Sequence, residues 1–173
     1  MNNLYLIGYR GVGKTTLAPL LAAKLGWPVV ELDDLIEQQE RTRIVDIFKH
    51  RGEACFRDLE SAMLQIVAGQ SRQVVSTGGG IILREENRQL LRSTGQVVWL
   101  QASAELIYQR LMQDNKTLSL RPALTSLPMR EEIKQLINAR SDWYASTSHF
   151  SVDTESHKLE EIVSLVLQHL DQR

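Results

Sequence analysis

The chain holds one cysteine, Cys55, in 173 residues. An internal disulfide is therefore excluded, and a reducing, cytosolic setting is expected. Cys55 sits in the apolar-leaning run Ala54-Cys55-Phe56 and reads as a packed, inert thiol. There is no surplus of either charge, with 20 Lys and Arg against 21 Asp and Glu. Binding of duplex nucleic acid through overall charge would need a basic chain, so no nucleic-acid partner is expected. A basic pocket for a small anion stays allowed, because net charge says nothing of local placement. No apolar run approaches the about 20 residues of a membrane span. The start, Met1-Asn2-Asn3-Leu4, has no basic n-region, so neither a membrane anchor nor a signal peptide is expected. Repeats, low-complexity stretches and linkers are also lacking, which points to a single domain over residues 1–173. His50, His149, His157 and His169 have no metal-ligand spacing and read as surface or loop residues. Trp27, Trp99 and Trp143 read as packing groups.

What is present is alternation. Leu4-Tyr5-Leu6-Ile7, Val29-Val30-Glu31-Leu32, Val74-Val75, Val97-Val98-Trp99-Leu100 and Phe150-Ser151-Val152 are short apolar runs of buried-strand type. Between them lie helical patterns. Lys14 to Leu25 places Leu17, Leu20, Leu21, Ala22 and Leu25 at helical spacing, closed by Gly26 and Pro28. Asp33 to Glu40 is a second helix, continued by Ile44, Ile47 and Phe48 up to Gly52. Glu53 to Ala68 carries Phe56, Leu59, Met63, Ile66 and Val67 on one face. Glu85 to Arg92, a Ser103-capped helix through Met112, Met129 to Tyr144 and Leu159 to Leu170 complete the set. Residues 114–128 lose periodicity and read as a loop. Strand and helix alternating in this way predict an α/β fold with a parallel sheet covered on both faces. Ligands in such sheets bind beyond the carboxyl ends of the strands, where the glycine clusters fall.

Gly8-Tyr9-Arg10-Gly11-Val12-Gly13-Lys14-Thr15 matches the phosphate-loop pattern G-x-x-x-x-G-K-[ST] in full, between a strand and a helix. Backbone N–H groups of Gly11, Val12 and Gly13 can curl around phosphate oxygens, aided by the helix N-terminus. Lys14 is expected to reach the β- and γ-phosphates, and the Thr15 hydroxyl can ligate Mg²⁺. Nucleoside triphosphate binding follows; the acceptor does not. Asp33 near the end of the second strand could orient an acceptor hydroxyl or cap a helix. Arg57 could bind an anion or be a surface charge paired with Glu53 or Glu60. Gly78-Gly79-Gly80 permits close backbone approach to a small ligand, or is a plain flexible loop.

In order along the chain, the phosphate loop, Asp33, Phe56-Arg57, Gly78-Gly79-Gly80, Arg121-Pro122-Ala123-Leu124, and Arg140 with Tyr144 resemble the shikimate kinase family. The resemblance covers almost the whole chain. It implies a three-layer P-loop fold with a five-stranded parallel sheet in the order 2-3-1-4-5, flanked by helices. It implies transfer of the γ-phosphoryl group of ATP to the 3-hydroxyl of shikimate, with Mg²⁺ as cofactor, a step of aromatic amino acid biosynthesis. Shikimate would be held by Asp33, Arg57, Gly79, Gly80 and Arg140, within a helical region about residues 33–61 and the later segments. Lys14, Asp33 and Arg121 would be catalytic, Arg121 on a lid about residues 113–127. ATP would touch Gly11 to Thr16, Arg110, Arg121 and His157, with Arg110 stacking on the base and the turn at Thr154 to His157 as the other wall.

One departure stands out. The family usually has Asp-x-Asp at the end of strand two, and here the first acid is Glu31. Glu31 joins Thr15 as a metal-site candidate, although its extra methylene changes the reach to an octahedral ion. Cys55 replaces a frequent glycine. Two other readings stay open: a P-loop kinase for another small hydroxylated acid or a nucleotide, and a nucleotide-binding regulatory module without catalysis. A monomer is the default.

Overall fold

The central strand explains the layering. Leu4, Tyr5, Leu6 and Ile7 are all fully buried, so both faces of their strand are covered. Side chains alternate across a strand. Leu4 and Leu6 accordingly enter one core with Leu17, Leu21, Ile162 and Val166. Tyr5 and Ile7 enter a second core with Leu32, Ile47, Leu64 and Tyr144.

The computed structural model describes residues 2–113 and 127–171. The strands are β1 (Asn3–Ile7), β2 (Val29–Glu31), β3 (Val74–Ser76), β4 (Gly95–Gln101) and β5 (Phe150–Asp153). They form one parallel sheet in the order β2-β3-β1-β4-β5. This is the order implied by the resemblance. The helices are α1 (Lys14–Leu25), α2 (Leu32–Glu40), α3 (Ile44–Ala68), α4 (Glu85–Thr94), α5 (Ala104–Gln113), α6 (Met129–Thr147) and α7 (Leu159–Asp171). Helices α1 and α7 cover one face of the sheet. Helices α2, α3 and α4 cover the other, with Tyr144 of α6. A third cluster of Tyr9, Ile107, Leu111 and Ile133 locks α5 and α6 to the turn after β1.

Three local expectations need adjustment. The second strand stops at Glu31, and Leu32 opens α2, because its side chain packs into the core as the first helical residue. Leu20 and Ile66 share their helices' apolar spacing but are 41% and 55% exposed, because no element among the described residues covers that edge of either helix. Trp143 is 40% exposed and is covered by the Arg88 guanidinium rather than by core. The break expected at Gly52 is present: φ +80° interrupts α3 into two helical pieces. Ser103 caps α5, its hydroxyl accepting from the Leu106 N–H at 3.2 Å.

Candidate active site

The turn between β1 and α1 is built for an anion. Gly8 has φ +140°, and a Cβ there would lie 2.5 Å from the Leu100 carbonyl oxygen, so no side chain fits. Gly13 is the N-cap of α1 in the left-handed region, φ 111°. No acidic residue lies in the first turn of α1, so nothing within the helix itself offsets its positive end. Lys14 is 8% exposed. Its ammonium donates to the carbonyls of Gly8 at 2.7 Å and Tyr9 at 3.0 Å, curling the loop around itself.

A cleft of about 1930 Å³ opens over this loop. It runs from Glu31 and Asp33 at one end to Thr154 and His157 at the other. Arg110 from α5 closes the far wall, donating to the Val12 carbonyl at 3.0 Å and to the Thr154 hydroxyl at 3.1 Å. His157 is exposed there, its Nδ1 within 3.1 Å of the Asp153 carbonyl. Thr15 and Thr16 line the same cleft. Thr15 donates to Glu31 at 3.3 Å. Burial pushes the Glu31 carboxyl above the usual carboxylate range, against the lowering pull of hydrogen bonds from Ser76 and Thr15.

A second, smaller cavity of about 510 Å³ adjoins the cleft. With open solvent included in each, it has about a quarter of the cleft's volume, so it is the smaller of two adjoining sites. Asp33 projects from the first turn of α2; the cap position is Glu31, so Asp33 is not a cap. Beyond the Gly52 break, α3 presents Phe56, Arg57 and Glu60 to the cavity. Arg57 is paired with both Glu53 at 3.0 Å and Glu60 at 2.8 Å. Its side chain is nonetheless only 11% exposed, so the ion pair and the pocket role coexist. Burial opposes the charge on Arg57, but Glu60 and Glu53 outweigh it and hold its pKa above the ordinary value. Gly78, Gly79 and Gly80 also line the cavity, Gly78 packed against Glu60 and Gly80 against Arg57. From α6, Arg140 donates to the Gly79 carbonyl at 3.3 Å and the Tyr144 hydroxyl to the same oxygen at 2.5 Å. Burial pushes the Tyr144 hydroxyl pKa upward, so it remains a donor. The turn is thus fixed from behind rather than flexible.

The carboxylates of Asp33 and Glu60, the guanidinium groups of Arg10, Arg57 and Arg140, and a glycine turn therefore surround a small cavity beside a phosphate loop. A family model described as Shikimate kinase matches residues 10–171. The chain belongs to the shikimate kinase family. A shikimate kinase of Rhodopirellula baltica is 40% identical over 166 residues, 96% of this chain and 89% of the relative. A shikimate kinase 2 of Photorhabdus laumondii is 41% identical over 87% of this chain and 85% of its own. The structure of shikimate kinase from Acinetobacter baumannii, in complex with shikimate, superposes with a TM-score of 0.92 at 31% identity, covering 99% of this chain and 94% of that one. Shikimate kinases are ATP-dependent kinases, and the sheet order and phosphate loop are those of that fold.

The structure brings together Asp33, Arg57, Gly79, Gly80 and Arg140 around the smaller cavity, and Gly11 to Thr16, Lys14 among them, with Glu31, Arg110 and His157 along the adjoining cleft. Arg110, expected to stack on the base, is tied to loop backbone by its hydrogen bonds and forms a wall of the cleft. Arg121 and most of the expected lid about residues 113–127 lie outside the described residues. Sequence reasoning missed Tyr9, Arg10, Ile44 and Phe48 as wall residues, and Glu60 as more than an ion-pair partner. Glu60 had a signal, three residues after Arg57 on one helix. Ile44 and Phe48 had one too, an apolar pair one turn apart ahead of Phe56.

Proposed function

We propose that this shikimate kinase family member transfers the γ-phosphoryl group of ATP to the 3-hydroxyl of shikimate, giving shikimate 3-phosphate and ADP. The carrying observation is the composition of the smaller cavity: Asp33, Arg57 and Arg140 around a glycine turn, next to Lys14. Shikimate has one carboxylate and three ring hydroxyls. Its carboxylate takes the two guanidinium forks of Arg57 and Arg140. Its hydroxyls take Asp33 and the backbone of Gly79 and Gly80.

Asp33 accepts from the reacting hydroxyl and aims its oxygen at the γ-phosphorus. As that bond forms, the bond from phosphorus to the β,γ-bridging oxygen breaks, and the hydroxyl proton passes to Asp33 or to water. Lys14 neutralises charge on the β- and γ-oxygens, and the backbone of Gly11 to Gly13 fixes them. Glu60 holds Arg57 in place, and Tyr144 holds the turn. Catalysis rests mainly on positioning and charge.

Thr15 and Glu31 fit Mg²⁺ by donor type: a hydroxyl and a carboxylate, both hard oxygen ligands at the rim of the phosphate cleft. Among the described residues no cluster of three His, Cys, Asp or Glu could cage a metal, which suits an ion held largely by phosphates and water. Bound there, Mg²⁺ would supply charge neutralisation at the β- and γ-phosphates. The test is ADP release from ATP with shikimate, gluconate or a nucleoside monophosphate as acceptor. Shikimate alone should drive turnover; a larger response to gluconate or a nucleotide would refute the acceptor.

A further inference from the structure

Among the described residues, two line both the acceptor cavity and the phosphate cleft: Asp33 and Arg10. Asp33 has a role in the reaction proposed above. Arg10 stands opposite in kind, a cation at the same junction, inside the phosphate loop. Its guanidinium is held rather than free. One terminal nitrogen donates to Glu132 of α6 at 3.0 Å, with side chains 12% and 2% exposed. The guanidinium also lies over the Tyr9 ring, 5.9 Å from its centroid. A carboxylate as buried as Glu132 is costly unless paired, and such pairs fix geometry more than they add stability. The Arg10 Nε–H is buried and has no hydrogen-bond partner among the described residues. The fork therefore has one edge committed to α6 and donor capacity remaining on the rest of the group.

We propose that Arg10 is a further catalytic residue, whose guanidinium contacts the phosphoryl group as it passes from the nucleotide cleft to the acceptor cavity, with Glu132 the positioning residue that aims it. The inference rests on the phosphoryl-transfer reading. It adds a cation on the acceptor side of the transferring group, opposite Lys14. Interactions made only in transit lower the barrier without tightening either substrate.

The experiment is steady-state kinetics with both substrates varied, on Arg10→Met, Arg10→Lys, Glu132→Gln and Glu132→Asp, with thermal melting of each. Arg10→Met should lower kcat by about 10- to 100-fold, with both KM values within about threefold, the scale of losing one charge-stabilising donor. Arg10→Lys should lose less. Glu132→Gln should lower kcat with Arg10 intact, and Glu132→Asp should recover part of that loss. In a fifth variant, Arg10→Ala, which leaves room for the ion, added guanidinium should partly restore kcat. A lowered melting temperature with unchanged kcat would overturn the proposal and leave a structural tie. A raised KM for shikimate with unchanged kcat would also overturn it, placing Arg10 on the bound acid instead. If Arg10→Met does not fold, Arg10→Lys and the guanidinium rescue decide. If the unaltered protein ignores shikimate, the acceptor reading fails first. The variants are then compared by ATP hydrolysis, which involves the same phosphoryl group, and equal rates overturn the role of Arg10.

Discussion

Gly80→Ala separates the geometry of the acceptor cavity from its chemistry. Gly80 has φ −103° and ψ 2°, values open to alanine, so backbone strain is not at issue. Space is. A Cβ would lie 2.3 Å from Arg57 Nη1, against the 3.4 Å at which ordinary contact begins, so the guanidinium must retreat by about 1.1 Å. Arg57 is held at 2.8 Å by Glu60, and a retreat of that size exceeds what a hydrogen bond tolerates. A hydrogen bond to a charged group contributes about 1.5–3 kcal/mol. Misplacing the fork should then raise KM for shikimate by about 10- to 100-fold, while KM for ATP stays within about twofold. Glu60 is fully buried and loses part of its pairing. Melting should fall by about 2–8 °C, equivalent to about 1–2 kcal/mol for a chain of this size. Coupled ADP-release kinetics and fluorescence titration with shikimate read the first effect, calorimetry the second. An unchanged KM for shikimate in a variant that melts lower would refute the assignment of Arg57 to the substrate carboxylate.

Lys14→Ala should cut kcat by about 100-fold or more while the far-ultraviolet circular dichroism stays unchanged; retained turnover would remove Lys14 from the transferring group. Asp33→Asn should lower kcat more than it raises either KM, and near-normal turnover would mean that Asp33 neither accepts the proton nor orients the hydroxyl. The raised pKa of Glu31 sets a pH signature. Its charged form is disfavoured in the folded state, so its contribution to stability falls as pH rises from the unfolded value of 4.5 through the higher folded value. Glu31→Gln should therefore melt higher than the parent at pH 7, a gap that closes towards pH 4, and should need more Mg²⁺ for half-maximal rate. A lower melting temperature at pH 7 would reverse the sign of the argument.

The strands and the phosphate loop were legible because each is local: a buried run followed by fixed glycine spacing. Helical spacing alone overestimated Leu20 and Ile66, because periodicity marks a face but not which part of it another element reaches. Arg57 allowed two readings, surface ion pair or anion site; the ion pair is present, but on a buried side chain that lines the cavity. Only burial of Glu60 shows that the pair is part of the cavity wall. Gly78 to Gly80 could be read as a flexible loop until Tyr144 and Arg140, over sixty residues later, were seen to fix the Gly79 carbonyl. Arg10 and Glu132 lie 122 residues apart, and no local pattern joins them. Such long-range polar pairs are set by how α6 packs on α5 and the β1 turn.

The most direct measurement of the central claim is phosphorus NMR on the products of ATP, Mg²⁺, shikimate and the protein. The account predicts one phosphomonoester formed for each ADP, its phosphorus coupled to the proton on C3 of the ring. ADP accompanied by free phosphate, or phosphorus coupled to the proton on C4 or C5, would contradict it.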